Sequence, residues 1–264
     1  MIKKKLFLLL LAFMLPQSIL ANDFVIKIDP KENSKERIDQ AAQHIMETVY
    51  SRPDVHRFIF ESSEALKQKS KIIETSEEDL ERYPQLRQQA VAASAIYKKA
   101  YPNGDFYFLI GNLDDQWSKS DYTRFYTVAK WLSKHGFRTI LNVTAFIPDL
   151  QEAISNPQTT AMVWNSHGAS DGGFSDANEE RIPTDLFTTH INKNLRYIVI
   201  GSCWGLNADT KYNLKKIPKL TIVGWDRTVD SNDLFGYLIS ERFDEDLAKA
   251  LNIELKRKGE SRIK

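Results

Sequence analysis

The chain has 264 residues, 36 of them basic and 35 acidic, for a formal charge of +1. So nearly neutral a chain argues against a nucleic-acid binder, which needs a basic surface to neutralise phosphates. A single cysteine, Cys203, excludes an internal disulfide, and beyond the first 21 residues no apolar run approaches membrane-spanning length.

Lys3-Lys4-Lys5, the apolar stretch from Leu6 to Leu15 and the passage Pro16-Gln17-Ser18-Ile19-Leu20-Ala21 read as a signal peptide, residues 1–21, cut after Ala21. The stretch is short for a bilayer, so an uncleaved anchor is the alternative. Removing it takes away three lysines and no acid and moves the formal charge to −2. The expected destination is the periplasm or the exterior, with no stable membrane span after signal removal. About 240 residues remain, enough for one large domain or a medium one with an extension.

Residues 22–102 are expected to form a helical extension, packed on the domain that follows or removed as a prosegment. From Ser34 to Lys99 the pattern is charged and helical, with Ile38, Ala41, Ala42, Ile45 and Val49 on one face. Pro53 interrupts it, Ser76-Glu77-Glu78-Asp79 resembles a helix start, and Pro84 opens a further helix carrying Leu86, Ala90, Val91 and Ile96.

Asn103-Gly104 is a turn, after which strands and helices alternate through residues 103–264. Phe106 to Ile110 reads as a strand, and Ser118 or Ser120 caps a helix with Tyr122, Phe125, Val128 and Leu132 on one face, closed by Gly136. Phe137 to Val143 is the next strand, and Pro148 to Asn156 a short helix stopped by Pro157. Thr160 to Asn165 is the third strand, followed by a loop or hairpin from Gly168 to Asn178 that bends at Gly172-Gly173. Another helical stretch starts at Pro183. Tyr197 to Ile200 and Leu220 to Val223 are the last strands, and Asp233 through Lys256 returns to helix with Leu234, Leu238, Leu247 and Leu251. The order implies an α/β fold, a mostly parallel sheet covered by helices on both faces.

Two of these strands end in chemistry-bearing residues. Thr160-Ala161-Met162-Val163-Trp164 runs into Asn165-Ser166-His167-Gly168, and Tyr197-Ile198-Val199-Ile200 into Gly201-Ser202-Cys203-Trp204-Gly205. If the two strands are parallel neighbours, a histidine and a cysteine emerge at the same carboxyl edge, where α/β sheets place their ligands. An unpaired cysteine in an exported chain is an intermolecular bridge, an inert buried thiol or a reactive thiol. An imidazole beside it would favour the thiolate and then protonate a departing amine. Gly168, without a side chain, would let its N–H join that of Cys203 in an oxyanion hole.

These blocks, histidine before cysteine, each after an apolar strand and the histidine followed by glycine, resemble the caspase-like clan of cysteine peptidases (clan CD), which includes legumains, gingipains, separases and CHAT domains. The segment Ile222-Val223-Gly224-Trp225-Asp226, with Asp230 and Asp233 beyond, is similar to the strand-tryptophan-acid segment of separases and CHAT domains. The resemblance covers about Phe106 to Leu251. It implies a caspase-like three-layer fold and a thiol protease with a catalytic dyad, His167 and Cys203, acting on a protein or peptide through an acyl-enzyme. It also implies a substrate pocket lined by Trp225, Asp226 and Arg227. Asp226 would favour a basic residue before the cleaved bond and Arg227 an acidic one; neighbours in an extended segment point opposite ways. Gly201 stands where clostripain-like members carry an aspartate, which removes one support for basic specificity. A transpeptidase with the same dyad, or a non-catalytic binding or scaffold module retaining the fold, are the competing readings.

No metal or cofactor is expected. HExxH, paired-cysteine, Walker and dinucleotide motifs are missing from the sequence, and Asp114-Asp115, a candidate calcium turn, reads better as a solvated acidic loop. His44 and His56 fall in the charged helical region, His135-Gly136 is a helix end, and His190 lies in a polar connection.

Overall fold

Seven strands form one sheet in the computed structural model, which describes residues 23–32, 34–63, 65–67, 84–113 and 117–255. The expected signal segment 1–21, the helix start at Ser76-Glu77-Glu78-Asp79 and the turn Asp114-Asp115 lie outside the described residues, as do the side chains of Leu86, Ala90 and Val91. The strands are β1 (Asp23–Ile28), β2 (Arg57–Ser62), β3 (Asp105–Ile110), β4 (Arg138–Asn142), β5 (Thr159–Asn165), β6 (Tyr197–Ile200) and β7 (Thr221–Val223), in the order β1-β2-β4-β3-β5-β6-β7. From β4 to β7 every pairing is parallel. The antiparallel contact of β2 with β4 sets β1 and β2 running the other way.

Helices cover both faces. On one lie α1 (Lys35–Ser51), α3 (Lys119–Lys134), α7 (Ser231–Leu238) and α8 (Glu241–Leu251); α2 (Pro84–Ala100) precedes β3. On the other lie α4 (Ile147–Ser155), α5 (Leu186–His190) and α6 (Ala208–Lys211). Alternation along β3 shows how the sheet feeds both layers. Phe106, Phe108 and Ile110 join the core under α3, α7 and α8, whereas Tyr107 and Leu109 join the core under α4 and α5. Strands buried on both faces read as continuous apolar runs, which is why β3, β5 and β6 were visible in the sequence.

Capping fixes the helix starts. Ser118 Oγ accepts the Asp121 N–H at 3.3 Å while the Asp121 carboxylate accepts the Ser118 N–H at 2.9 Å, so α3 begins one turn before its apolar face. Its far end turns at Gly136, whose φ of +77° suits glycine.

Two expectations need correction. Residues 22–102 are not purely helical, because Asp23–Ile28 and Arg57–Ser62 are strands of the same sheet. Phe58 and Phe60 bury completely under α1 and α3, so tertiary packing outweighs the charged, helix-prone surroundings. The last helix is two: Ser240 Oγ accepts the Phe243 N–H at 3.3 Å and starts α8 two residues after α7 ends. Asn252, at a left-handed φ of 53°, then closes α8 before Lys256.

Candidate active site

Register brings the histidine and cysteine segments to the same rim of the sheet. β5 and β6 are adjacent and parallel with Trp164 opposite Ile200; His167 lies three residues beyond one and Cys203 three beyond the other. The Gly201 N–H extends this ladder to Trp164 O at 2.7 Å. One residue later the serines meet, Ser166 Oγ and Ser202 Oγ being 3.2 Å apart. Ser166 Oγ accepts the indole N–H of the buried Trp164 at 2.9 Å and donates to His167 O at 2.9 Å. Its remaining lone pair then leaves Ser202 as the donor between the two hydroxyls.

Beyond the serines the chains touch at Gly168. A Cβ there would lie 2.1 Å from Cys203 O and 2.9 Å from Cys203 N, so the Gly168 Cα lies against the Cys203 backbone and only glycine fits. Among the described residues neither the Gly168 nor the Cys203 backbone N–H has a hydrogen-bond acceptor. Two unspent donors side by side at the carboxyl rim of a sheet are suited to a developing negative charge.

The neighbouring loops hold this arrangement. The His167 N–H donates to Asn112 O at 2.8 Å, and Gly111 N–H to Asn165 O at 2.8 Å, so the loop after β3 runs beside the histidine block. After Gly168 the chain folds into the expected hairpin, with Gly168 bridged to Phe174 and Ser175 to Arg181. Gly172, at φ +81°, makes the bend and abuts the backbone of Asn207 and Ala208, which ties the hairpin tip to the segment after the cysteine. The buried Asp176 accepts the N–H groups of Asn178, Glu180 and Ile147 at 2.8, 3.0 and 3.1 Å, fastening the second half of the hairpin to the start of α4.

Cys203 is half-buried and its sulfur lies against the β7–α7 loop, accepting the Val229 N–H at 3.4 Å. Trp204 comes next in the left-handed conformation, φ 58° and ψ 25°, which costs a residue with a Cβ roughly 1–2 kcal/mol. The loop after β7 runs alongside, Trp204 N–H donating to Arg227 O at 2.9 Å and Leu206 N–H to Trp225 O at 3.0 Å.

Of the three residues expected to line a pocket, Trp225 packs its ring edge-on to Tyr237, centroids 6.1 Å apart. Arg227 is held by Asp233 through two hydrogen bonds of 2.8 and 2.6 Å. The hydrogen bonds hold the Asp233 carboxyl below its ordinary range. Asp230 caps α7, so both distal acids are engaged in fixing that helix. Asp226 is exposed at the rim. Gly201 lies under Leu234 and beside Asn165 Oδ1, with little space for a longer side chain.

The other histidines lie elsewhere. His44, on α1, contacts Phe24 of β1, His135 lies over Trp131 at the end of α3, His190 ends α5 exposed, and His56 precedes β2. Among the described residues no group of three or more His, Cys, Asp or Glu side chains is placed to hold a metal, and no helix is long and apolar enough to cross a membrane. Sequence reasoning missed Asn112, the Ser166–Ser202 bridge, Val229 and Asp176. A serine before both His167 and Cys203 was the one visible sign. Comparison with protein-family models, curated proteins and solved structures found no match for this chain.

Proposed function

We propose that this protein is an exported cysteine endopeptidase of the caspase-like kind, working through His167 and Cys203. The observation that carries the reading is the contact of Gly168 with the Cys203 backbone, which supports a shared rim with two unspent N–H donors beside a half-buried cysteine. In this mechanism His167 takes the Cys203 proton and the sulfur attacks the scissile carbonyl carbon. The carbonyl oxygen becomes an oxyanion facing the Gly168 and Cys203 N–H groups. Collapse breaks the C–N bond, His167 gives its proton to the leaving amine, and a thioester remains. Water, deprotonated by the same imidazole, hydrolyses it and restores the thiol.

Arg227, engaged by Asp233, leaves the exposed Asp226 as the charge offered by this loop, which supports a lysine or arginine before the cleaved bond. The sheet, with helices on both faces and the two blocks on adjacent parallel strands, supports the caspase-like assignment at the level of architecture.

The test is labelling of residues 22–264 by a peptidyl acyloxymethyl ketone with arginine at its end. The wild type should label at least about a hundredfold faster than His167→Ala, and Cys203→Ala should lose all peptide turnover. Equal labelling of the wild type and His167→Ala would reduce the molecule to a binding module with an ordinary thiol.

A further inference from the structure

We propose that Trp204, with Leu206, forms an apolar subsite that selects a bulky apolar side chain in a peptide lying across the rim, a role that rests on the peptidase reading above. The chain contains five tryptophans, and four of them pack against other rings. Trp117 meets Phe108 and Tyr122, Trp131 meets His135, Trp164 meets Phe174, and Trp225 meets Tyr237. Trp204 is the exception. Among the described residues its ring has no aromatic neighbour and its indole N–H no acceptor, and the residue is only half-buried.

Its backbone makes the choice of residue harder to explain by folding. A left-handed φ of 58° suits glycine or asparagine, and a bulky side chain there is disfavoured. The conformation is imposed from outside: Trp204 N–H is bound by Arg227 O, Trp204 O accepts the Asn207 N–H at 2.9 Å, and Gly205 is wedged within 2.6 Å of Ile200 O as seen from its Cβ position. A strained residue whose ring meets no other ring and joins neither apolar core gains less from packing than the other four tryptophans do. Beside it Leu206, 43% exposed, is one of three large apolar side chains that the described residues leave open, and the only one near this rim, since Tyr50 and Ile96 belong to α1 and α2. Trp204 and Leu206 lie one and three residues after Cys203 in the chain, and the loop carrying Asp226 runs along their backbone. A peptide offering a basic residue to Asp226 would therefore bring a neighbouring residue over these two apolar side chains. An aromatic or branched aliphatic group is the chemistry that an unpaired indole and a leucine recognise.

The experiment uses the Cys203→Ala protein, which binds without turnover, and pairs of fluorescent peptides centred on one arginine that differ only in Phe against Ala at each flanking position. Fluorescence anisotropy should show Phe preferred by about tenfold at one flanking position, and Trp204→Gly should bring that ratio below about twofold. Because glycine relaxes the backbone, the urea midpoint of Trp204→Gly should match or exceed that of its parent. Trp204→Tyr should keep most of the preference. A Phe-to-Ala ratio unchanged by Trp204→Gly, or a ratio of one in the parent, overturns the subsite. Cleavage of the same peptides by the wild type separates the two proposals. Turnover without a Phe preference overturns the subsite and leaves the peptidase, whereas a Trp204-dependent preference in binding with no turnover overturns the peptidase and leaves the subsite.

Discussion

At Gly168 one hydrogen atom decides whether the two halves of the site can meet. An alanine Cβ would lie 2.1 Å from Cys203 O, a backbone atom with no flexible end to move aside. The histidine block and the cysteine block must then part by about an ångström, and a displacement of that size in a catalytic constellation costs on the order of a hundredfold in rate. Gly168→Ala is therefore expected to lower labelling by a peptidyl electrophile about a hundredfold and to destabilise the fold by roughly 1–3 kcal/mol, read as a lower urea midpoint. Labelling at the wild-type rate would mean that the contact of Gly168 with the Cys203 backbone has no part in presenting the donors. The glycine was recognisable from sequence only as a small residue after a histidine. Its reason, a peptide of Cys203 lying against it, depends on a pairing register that residues 35 positions apart do not advertise.

The elements differ in how far the sequence announced them. β3, β5 and β6 carry uninterrupted apolar runs because both their faces are buried, and these were visible along with the capped helix α3. β1 and β2 were not visible. Six residues of Arg57–Ser62 carry a polar residue at each end, and the strand exists because Phe58 and Phe60 find a core built from residues far along the chain. The candidate site was legible to the same degree: His167 and Cys203 stood at strand ends, while the hairpin that buttresses them is held by contacts with no local signature. Asp176 is the clearest of these, a buried carboxylate accepting three backbone N–H groups from its own hairpin and from α4. Asp176→Ala would strand those donors and should cost about 2–4 kcal/mol. Because the hairpin begins at Gly168, electrophile labelling of Cys203 should slow even below the denaturation midpoint. A variant as stable as the wild type would show that the hairpin is held by its apolar residues alone.

Over the whole molecule, burial on both faces of the sheet traps phenols along with hydrocarbon. Burial pushes the hydroxyls of Tyr97, Tyr107 and Tyr197 well above the usual tyrosine value of 10.0 and that of Tyr101 up to about 12, the last despite a bond from the Ser62 N–H that works in the other direction. Tyr97 also donates to Glu61 at 2.7 Å and accepts from Arg138 at 3.0 Å, in a buried group completed by the Arg138–Asp105 pair at the amino rim of the sheet. The sign depends on which state releases the proton. Above pH 10 the unfolded chain ionises these phenols and the folded one does not, so the native state binds more protons and stability falls as pH rises. Below pH 10 the contribution is fully present, and it is lost between pH 10 and each folded value. Four such groups remove roughly 4 kcal/mol between pH 10 and pH 11, a large share of a stability of about 5–15 kcal/mol. The urea midpoint should hold steady from pH 8 to pH 9.5 and then drop steeply. In a titration without denaturant, the phenolate absorbance at about 295 nm from these buried groups should appear together with loss of the far-ultraviolet dichroism. Full phenolate absorbance at about pH 11 with the dichroism intact would show that these hydroxyls reach water in the folded state, and that the sheet is less closed than its packing implies.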